Sequence, residues 1–480
     1  MLRFSGKIFD VARSGCECCV SSQVTIDAGR IKFVESCPAG TNLLMPPLAN
    51  GHDHVRAIRP TALGGFDLPL ELWLTHMTNI PKVDPYLTAS VALGRQVLGG
   101  VGAIMIHYTR PADRTRVLEE LEVVARAAQA VGMRVGIAVA LRDINPLGYG
   151  PDETLLAGLA PPDRQLIREK LVSVPETPND QVAGVERLAE KIENSLVTVQ
   201  FGPYGMEWCS RQLLKSIAAS SALSGRRVHM HLLESRQQRE YLDSVYPQGP
   251  VHFLDEIGML SPRLSVAHAV WLREDEMELL AARGVTIAIN ASSNLTLRSG
   301  VAPVTEFHRR GVPLALGMDG FSFDDDDDAF RELRLNYLLH RGLALDDGIS
   351  AEDLFYMASY GGRRSVTGIE AGDGIAAGSP ADLMDIDYSA ITRDLLVADM
   401  SEAHILARRA TSRLVRRLVV AGREIACNGQ LTGINLKEVE DELNLQARQG
   451  KSEFRSWTEV TGRLRERLKQ FYAAGLHYCA

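Results

Sequence analysis

The feature that most constrains this chain is an alternation. Between residues 45 and 320, eight short apolar stretches recur, each followed by a connection of helical length. They are MPPLANG (45–51), VGAIMIHY (101–108), MRVGIAVAL (133–141), LVTVQFG (196–202), RRVHMHLLE (226–234), RLSVAHAV (263–270), VTIAINAS (285–292) and VPLALGMDG (312–320). Such runs suit strands buried on both faces, as parallel strands covered by helices are. The connections DRTRVLEELEVVARAAQAVG and REDEMELLAARG read as helices, the second closing on Gly284 as a cap. Eight units of this kind predict an α/β fold of the (β/α)8 barrel type. An open doubly wound sheet shares the alternation. The count of eight and the lack of a G-x-G-x-x-G loop after the first strand favour the barrel.

On either side of these units the pattern changes. Residues 1–45 read as short strands with turns, GKIFDVA and SSQVTIDAGRIKFVES among them, and GDGIAAGSPADLMDIDYS and TSRLVRRLVVAGREI return to short strands after residue 372. The last stretch, 436–480, reads as helical, with Trp457, Leu464, Leu468 and Phe471 at helical spacing. That stripe needs the barrel or another subunit to cover it.

Composition narrows the function classes. A net charge of −8 argues against nucleic acid and anionic membranes, whose phosphates require clustered Lys and Arg. No apolar run reaches the roughly 18 residues of a membrane span, and the N-terminus lacks a signal peptide's apolar core. The expected location is the cytoplasm. Seven cysteines, odd in number and scattered, suit reduced thiols. Cys16, Cys18 and Cys19 form a tight cluster, but it has no matching C-x-x-C pair and reads more readily as structure than as a metal site. The aspartate run Asp324–Asp328 reads as a solvated acidic loop. At a catalytic mouth it would also repel anions.

Histidines number only twelve, and several sit where strands end. His52 and His54 follow the first strand, His231 lies at the fifth, His268 at the sixth, and Asp319 ends the eighth. Barrel strands bring their C-terminal ends to one mouth, and residues two apart on a strand face the same way. His52, His54, His231 and Asp319 can therefore share one divalent ion: zinc first, with iron or manganese as alternatives. Each residue alone has a plainer reading: a polar turn for the H-x-H, a satisfied core histidine for His231 (as for its neighbour His229), a buried backbone-bonded residue for His268, a turn for Asp319. Those readings do not account for their order along the strand ends. Glu234, three residues after His231, is the general acid/base candidate beside the metal.

With these residues in place, the chain resembles the amidohydrolase superfamily, in the aminohydrolase branch of the triazine hydrolases and the S-adenosylhomocysteine/methylthioadenosine and guanine deaminases. LANGHDH, FDLPLELWL, FGPYGMEWCS, HMHLLES, AHAVWL, SSNLTLRSGVAPV, LGMDG and GIAAGSPADLMDID are similar to that family's motifs, in its order. The resemblance implies a barrel over 46–372, a small composite β-sandwich domain from 1–45 and 373–435, and a helical extension over 436–480. It implies metal ligation by His52, His54, His231 and Asp319. Glu234 would protonate a ring nitrogen and then the departing amine, His268 would orient the water or stabilise the oxyanion-like intermediate, and Asp319 would take the water's proton. Two-metal relatives usually carry a lysine on strand four. LVTVQFGPYG has none, which implies one ion. The P-C-x-x-C motif of the cytidine-deaminase fold is also missing.

The expected reaction is metal-dependent hydrolytic deamination of a small nitrogen heterocycle. The alternatives are dechlorination or cyclic-amide hydrolysis at the same site, or a non-catalytic barrel scaffold. A homo-oligomer is a family-level expectation. Three departures bear on substrate: Tyr204 where nucleoside-type deaminases have histidine, Ile289 and Asn290 in INASSN where His-Cys-Pro is common, and His107 and Tyr108 ending strand two. His107, Tyr204, Asn290 and Arg56 are candidate substrate contacts. For His107 a helix cap or a partner to a metal ligand is an equal reading, and for Arg56 a surface charge.

Overall fold

The computed structural model describes residues 1–12, 21–38, 40–113, 115–320, 326–342, 348–369, 374–397, 400–450 and 454–478. Cys16, Cys18, Cys19, Asp324 and Asp325 lie outside the described residues.

Four strands come first: β1 (Leu2–Ile8), β2 (Ser21–Asp27), β3 (Arg30–Ser36) and β4 (Leu43–Met45). Each of the eight apolar runs then contains a strand: β5 (Leu48–Asp53), β6 (Val101–Tyr108), β7 (Arg134–Leu141), β8 (Val197–Pro203), β9 (Val228–Leu232), β10 (Leu264–His268), β11 (Thr286–Ile289) and β12 (Leu314–Leu316). Neighbours pair in parallel in sequence order from β5 to β12. The ends meet where the Met318 and Asp319 amides donate to the His52 carbonyl, at 3.2 and 2.9 Å. A side chain at Gly51 would stand 3.0 Å from the Leu316 carbonyl, so glycine permits that approach. The result is the (β/α)8 barrel expected from the alternation.

Several barrel strands stop short of their apolar runs. Val55, Leu233, His268, Ala269 and Asp319 all take positive φ, between 49° and 72°. Left-handed backbone ends the ladder and turns the following side chain, at a cost of order 1–3 kcal/mol per residue. All five sit at the C-terminal rim, beside the candidate ligands.

The opposite end of the barrel is plugged. The turn Met357–Gly361 and helix Gly362–Thr367 enter it, and Val366 packs on Ala49, Ala103, Met105 and Ala138. A Cβ on Gly361 would fall 2.0 Å from the Leu314 carbonyl, and one on Gly362 would fall 2.5 Å from that of Ala49. Gln200 on β8 donates to the Val366 carbonyl at 3.0 Å. Among the described residues, the plug closes the barrel interior from this end and leaves it open at the C-terminal mouth.

The second sheet joins the two ends of the chain. Strands β13 (Leu383–Ile386), β14 (Val415–Val420), β15 (Arg423–Cys427) and β16 (Gln430–Leu431) extend the first four in the order β16-β15-β14-β13-β4-β1-β2-β3. The junction is the antiparallel pair β13–β4, over a core that includes Phe4, Val24, Ile26, Leu44 and Val419. Two helices follow, Leu436–Gln449 and Phe454–Ala473. The stripe Trp457, Leu464, Leu468 and Phe471 is buried against Leu155, Leu156, Leu159 and Ile167, so this chain's own barrel loops cover it. No described helix is long and apolar enough to cross a membrane.

Candidate metal centre and active-site cleft

At the mouth, β5, β9 and the end of β12 bring four polar atoms together. Asp319 Oδ1 lies 3.3 Å from His52 Nε2 and 3.0 Å from His54 Nε2, and His231 Nε2 stands 3.3 Å from His54 Nε2. The other edge of each ring is already engaged. His54 Nδ1 meets the His107 carbonyl at 2.7 Å, His231 Nδ1 meets the Tyr204 carbonyl, and His268 Nδ1 meets Asn294 Oδ1 at 2.8 Å. A carbonyl accepts, so the proton is on Nδ1 and Nε2 presents a lone pair.

Burial holds His52 and His231 well below the ordinary imidazole range and lowers His54 and His268 as well, so the rings are neutral. Lone pairs and a carboxylate thus converge with no proton among them. His52 Nε2 and Asp319 Oδ1 are buried without a hydrogen-bond partner. The ligand atoms of His52, His54 and Asp319 lie within 4.8 Å of one another, as do those of His52, His231 and His268, and one divalent cation such as zinc fits imidazoles with a carboxylate.

Further buried residues hold these groups in place. His52 Nδ1 meets His229 Nε2 at 2.8 Å, and His229 Nδ1 meets Ser265 Oγ at 2.7 Å. Ser293 donates to Asp319 Oδ2 at 2.6 Å. Asp53, between the two histidines, turns away and accepts from the amides of His54, Val55 and Gly320. Glu234 sits beyond the metal group with Oε2 3.5 Å from His268 Nε2 and Oε1 accepting from Ser299 at 3.2 Å. Its amide donates to Gln238 at 2.6 Å, and Gln238 donates to the Tyr149 hydroxyl at 3.2 Å. Burial, then the charges of Asp319 and Glu71, push the Glu234 carboxyl well above its ordinary value. Burial thus favours the protonated form, which can donate.

The structure divides the candidate substrate contacts. Tyr204 and Arg56 line the cleft with His54, His231, Glu234 and Asp319. Arg56 donates to the Asp319 carbonyl at 3.0 Å and lies over Trp73. His107 and Asn290 are wholly buried and stand behind the ligands instead. His107 donates from Nε2 to the Gly202 carbonyl at 3.1 Å and stacks on His231. Asn290 lies 3.3 Å from His268 Nδ1 and fills the space left by Gly317.

Sequence reasoning treats His229 as core and does not single out Ser293, Asn294, Ser299 or Gln238. Period-two placement beside His231 points to His229. The other signal is SSNLTLRSG, which contains Ser293, Asn294 and Ser299.

The cleft has a cavity volume of about 120 Å³. Arg142 stacks on the Tyr204 ring at 4.9 Å, and the outer wall includes Leu464, Leu468 and Tyr472 of the last helix.

Comparison with known proteins agrees with this arrangement. A 5′-deoxyadenosine deaminase of Methanothermobacter thermautotrophicus is 31% identical over 344 residues, which cover 71% of this chain and 73% of that protein. A 5-methylthioadenosine/S-adenosylhomocysteine deaminase of Syntrophobacter fumaroxidans is 30% identical over 423 residues, covering 88% and 89%. The crystal structure of an adenosine deaminase from Xanthomonas campestris with bound zinc shares the fold, with a TM-score of 0.77 at 22% identity over 95% of this chain and 98% of that one. The profile of the amidohydrolase family matches residues 43–425, from the strand before the barrel to the second sheet, and the chain belongs to that family.

Proposed function

We propose that this protein removes ammonia hydrolytically from an amino-substituted carbon of a nitrogen heterocycle, with one divalent ion held by His52, His54, His231 and Asp319. The observation that carries the reading is the position of Glu234, a buried carboxyl lining the cleft 3.5 Å from His268 and beside the proposed ligand group. A bound ion would supply a nucleophilic water at neutral pH, lowering its pKa from about 16 to near 7.

The chain's own groups do the rest. Glu234 protonates the ring nitrogen next to the attacked carbon, which makes that carbon electrophilic, receives the water's proton by way of Asp319, passes it to the departing amine, and ends protonated by taking the proton of the new hydroxyl as the carbonyl forms. Asp319, ionised, accepts the proton of the attacking water. His268, whose Nε2 has no hydrogen-bond partner, accepts a hydrogen bond from that water and orients it. Arg56 and Tyr204 bound the ring on the cleft side, while His107 and Asn290 act behind it by holding His231 and His268. The named relatives act on adenosine derivatives, so aminated purines head the list of substrates.

The test is ammonia release by zinc-loaded protein from adenine, adenosine, 5′-deoxyadenosine, guanine and amino-triazines. Ammonia from at least one supports the reading. Chloride release from chlorotriazines or ring opening of cyclic amides, without ammonia from any amine, would move the reaction to those classes. Less than about half an equivalent of bound metal after growth with zinc, iron and manganese would favour a scaffold.

A further inference from the structure

The last helix, Phe454–Ala473, lies outside the stretch the family profile matches, yet it forms part of the active-site cleft. Leu464, Leu468 and Tyr472 are spaced by four residues, hence on one helix face, and all three line the cleft that contains Glu234 and Asp319. The helix is clamped at several points. Trp457 donates to the Thr78 carbonyl at 3.1 Å, and Arg465 to Thr75 at 2.9 Å. Arg463 pairs with both oxygens of Asp163 at 2.6 and 2.8 Å, and Arg467 donates to the Leu155 carbonyl at 2.9 Å. The Tyr149 amide donates to the Tyr472 hydroxyl at 3.1 Å. The same Tyr149 receives the hydrogen bond of Gln238, which holds the Glu234 amide.

The two ends of the cleft differ in chemistry. Of its three lining carboxylates, Glu234 and Asp319 belong to the barrel mouth, and Glu71, on the helix Leu70–Met77, accepts from Ser235. Around the last helix, Leu74, Leu147, Leu171 and Tyr472 are half-buried, with Leu464 and Leu468 packed behind. A bare heterocycle at the metal end would leave this apolar wall facing water.

We infer that the C-terminal helix is a specificity-determining wall, and that the substrate is an aminated heterocycle carrying an apolar substituent on the side remote from its amine. This rests on the deamination reading and names its substrate class. Tyr472, with Leu74 and Leu147, meets the substituent, and Leu464 and Leu468 behind them set how far it reaches. Leu468 has no part in proton transfer.

Binding without turnover tests the wall. Affinities of adenine, 9-ethyladenine, 9-butyladenine and 9-benzyladenine are measured by calorimetry on zinc-loaded Glu234→Gln protein. Each buried methylene is expected to tighten binding about fourfold. Adding Leu468→Ala should cut the butyl-over-adenine affinity ratio about tenfold. Adding Leu468→Phe, which keeps the helix face apolar but shortens the cleft, should weaken 9-benzyladenine relative to 9-ethyladenine. Metal content and melting temperature identify a variant that fails to fold, and the other variant then decides. Equal affinities across the series, or ratios that neither variant moves, overturn the inference, as does absence of binding by the whole series. Ammonia release by unmutated protein from the panel above is scored separately. Ammonia with a flat series therefore removes the wall while leaving the deaminase, and no ammonia from any amine removes the deaminase reading.

Discussion

His52 Nδ1 and His229 Nε2 face each other at 2.8 Å, both rings wholly buried. The proton between them decides which edge of His52 is left for a cation. Ser265 donates its hydroxyl proton to the Val228 carbonyl at 3.5 Å and so accepts from His229 Nδ1 at 2.7 Å, which leaves His229 Nε2 as acceptor and the proton of His52 on Nδ1. Burial holds the His229 imidazole down to about 3, which keeps it a neutral acceptor. His229→Ala is expected to weaken metal binding about 10- to 100-fold, measured by competition with a chromophoric chelator. His229→Gln, which retains an acceptor, should recover part of that loss. Unchanged affinity in both would show that the contact does not orient His52.

The ligand and proton-donor roles separate in two substitutions. His231→Ala should lose both metal and activity. Glu234→Gln should retain a full metal complement, read by mass spectrometry of metals, while the rate falls about 10²- to 10⁴-fold. A fully active Glu234→Gln protein would remove Glu234 from proton transfer.

One ion per chain is expected, because β8 carries no lysine and its inward Gln200 is committed to the barrel plug. Titration of chelated protein with zinc should saturate at one equivalent and raise the melting temperature. At a free-metal concentration 100 times Kd the stabilisation is about 2.7 kcal/mol. Saturation at two equivalents with a carboxylated lysine would contradict the single-ion site.

Glu332 gives a pH signature away from the ligands. Its carboxyl accepts from the Ser292 amide at 3.1 Å, and burial raises it from 4.5 to about 7. The folded protein therefore binds more protons than the unfolded chain between these values. This contribution is fully present below pH 4.5 and is lost as pH rises through about 7, a change of about 3 kcal/mol. Glu332→Gln should flatten the decline of denaturation midpoint over that window. An identical decline in the variant would show that Glu332 does not titrate there.

Much of this arrangement is legible in the sequence because it follows from short-range rules. A strand's period of two sets His52 beside His54 and His229 beside His231, and eight apolar runs with helical connections leave few alternatives to a barrel. The H-x-H, the H-x-x-E after strand five and the GMDG turn therefore fall at one mouth by topology alone. The runs do not reveal where each strand stops. Residues such as Val55 and Leu233 take left-handed backbone that their side chains do not favour, held there by surrounding contacts.

The sequence by itself determined the barrel and which residues crowd its mouth, since both depend on alternation along the chain. Tertiary structure alone decided which of them face the cleft. His107 lies near the end of β6 and Asn290 follows β11 as Tyr204 follows β8, yet the first two lie behind the candidate ligands, where neighbouring strands and Gly317 leave room for them. It also decided that the C-terminal stripe closes the cleft against residues some 300 positions earlier, as in the Arg463–Asp163 pair. Such contacts depend on how loops of different lengths pack over the mouth, and no periodicity encodes that.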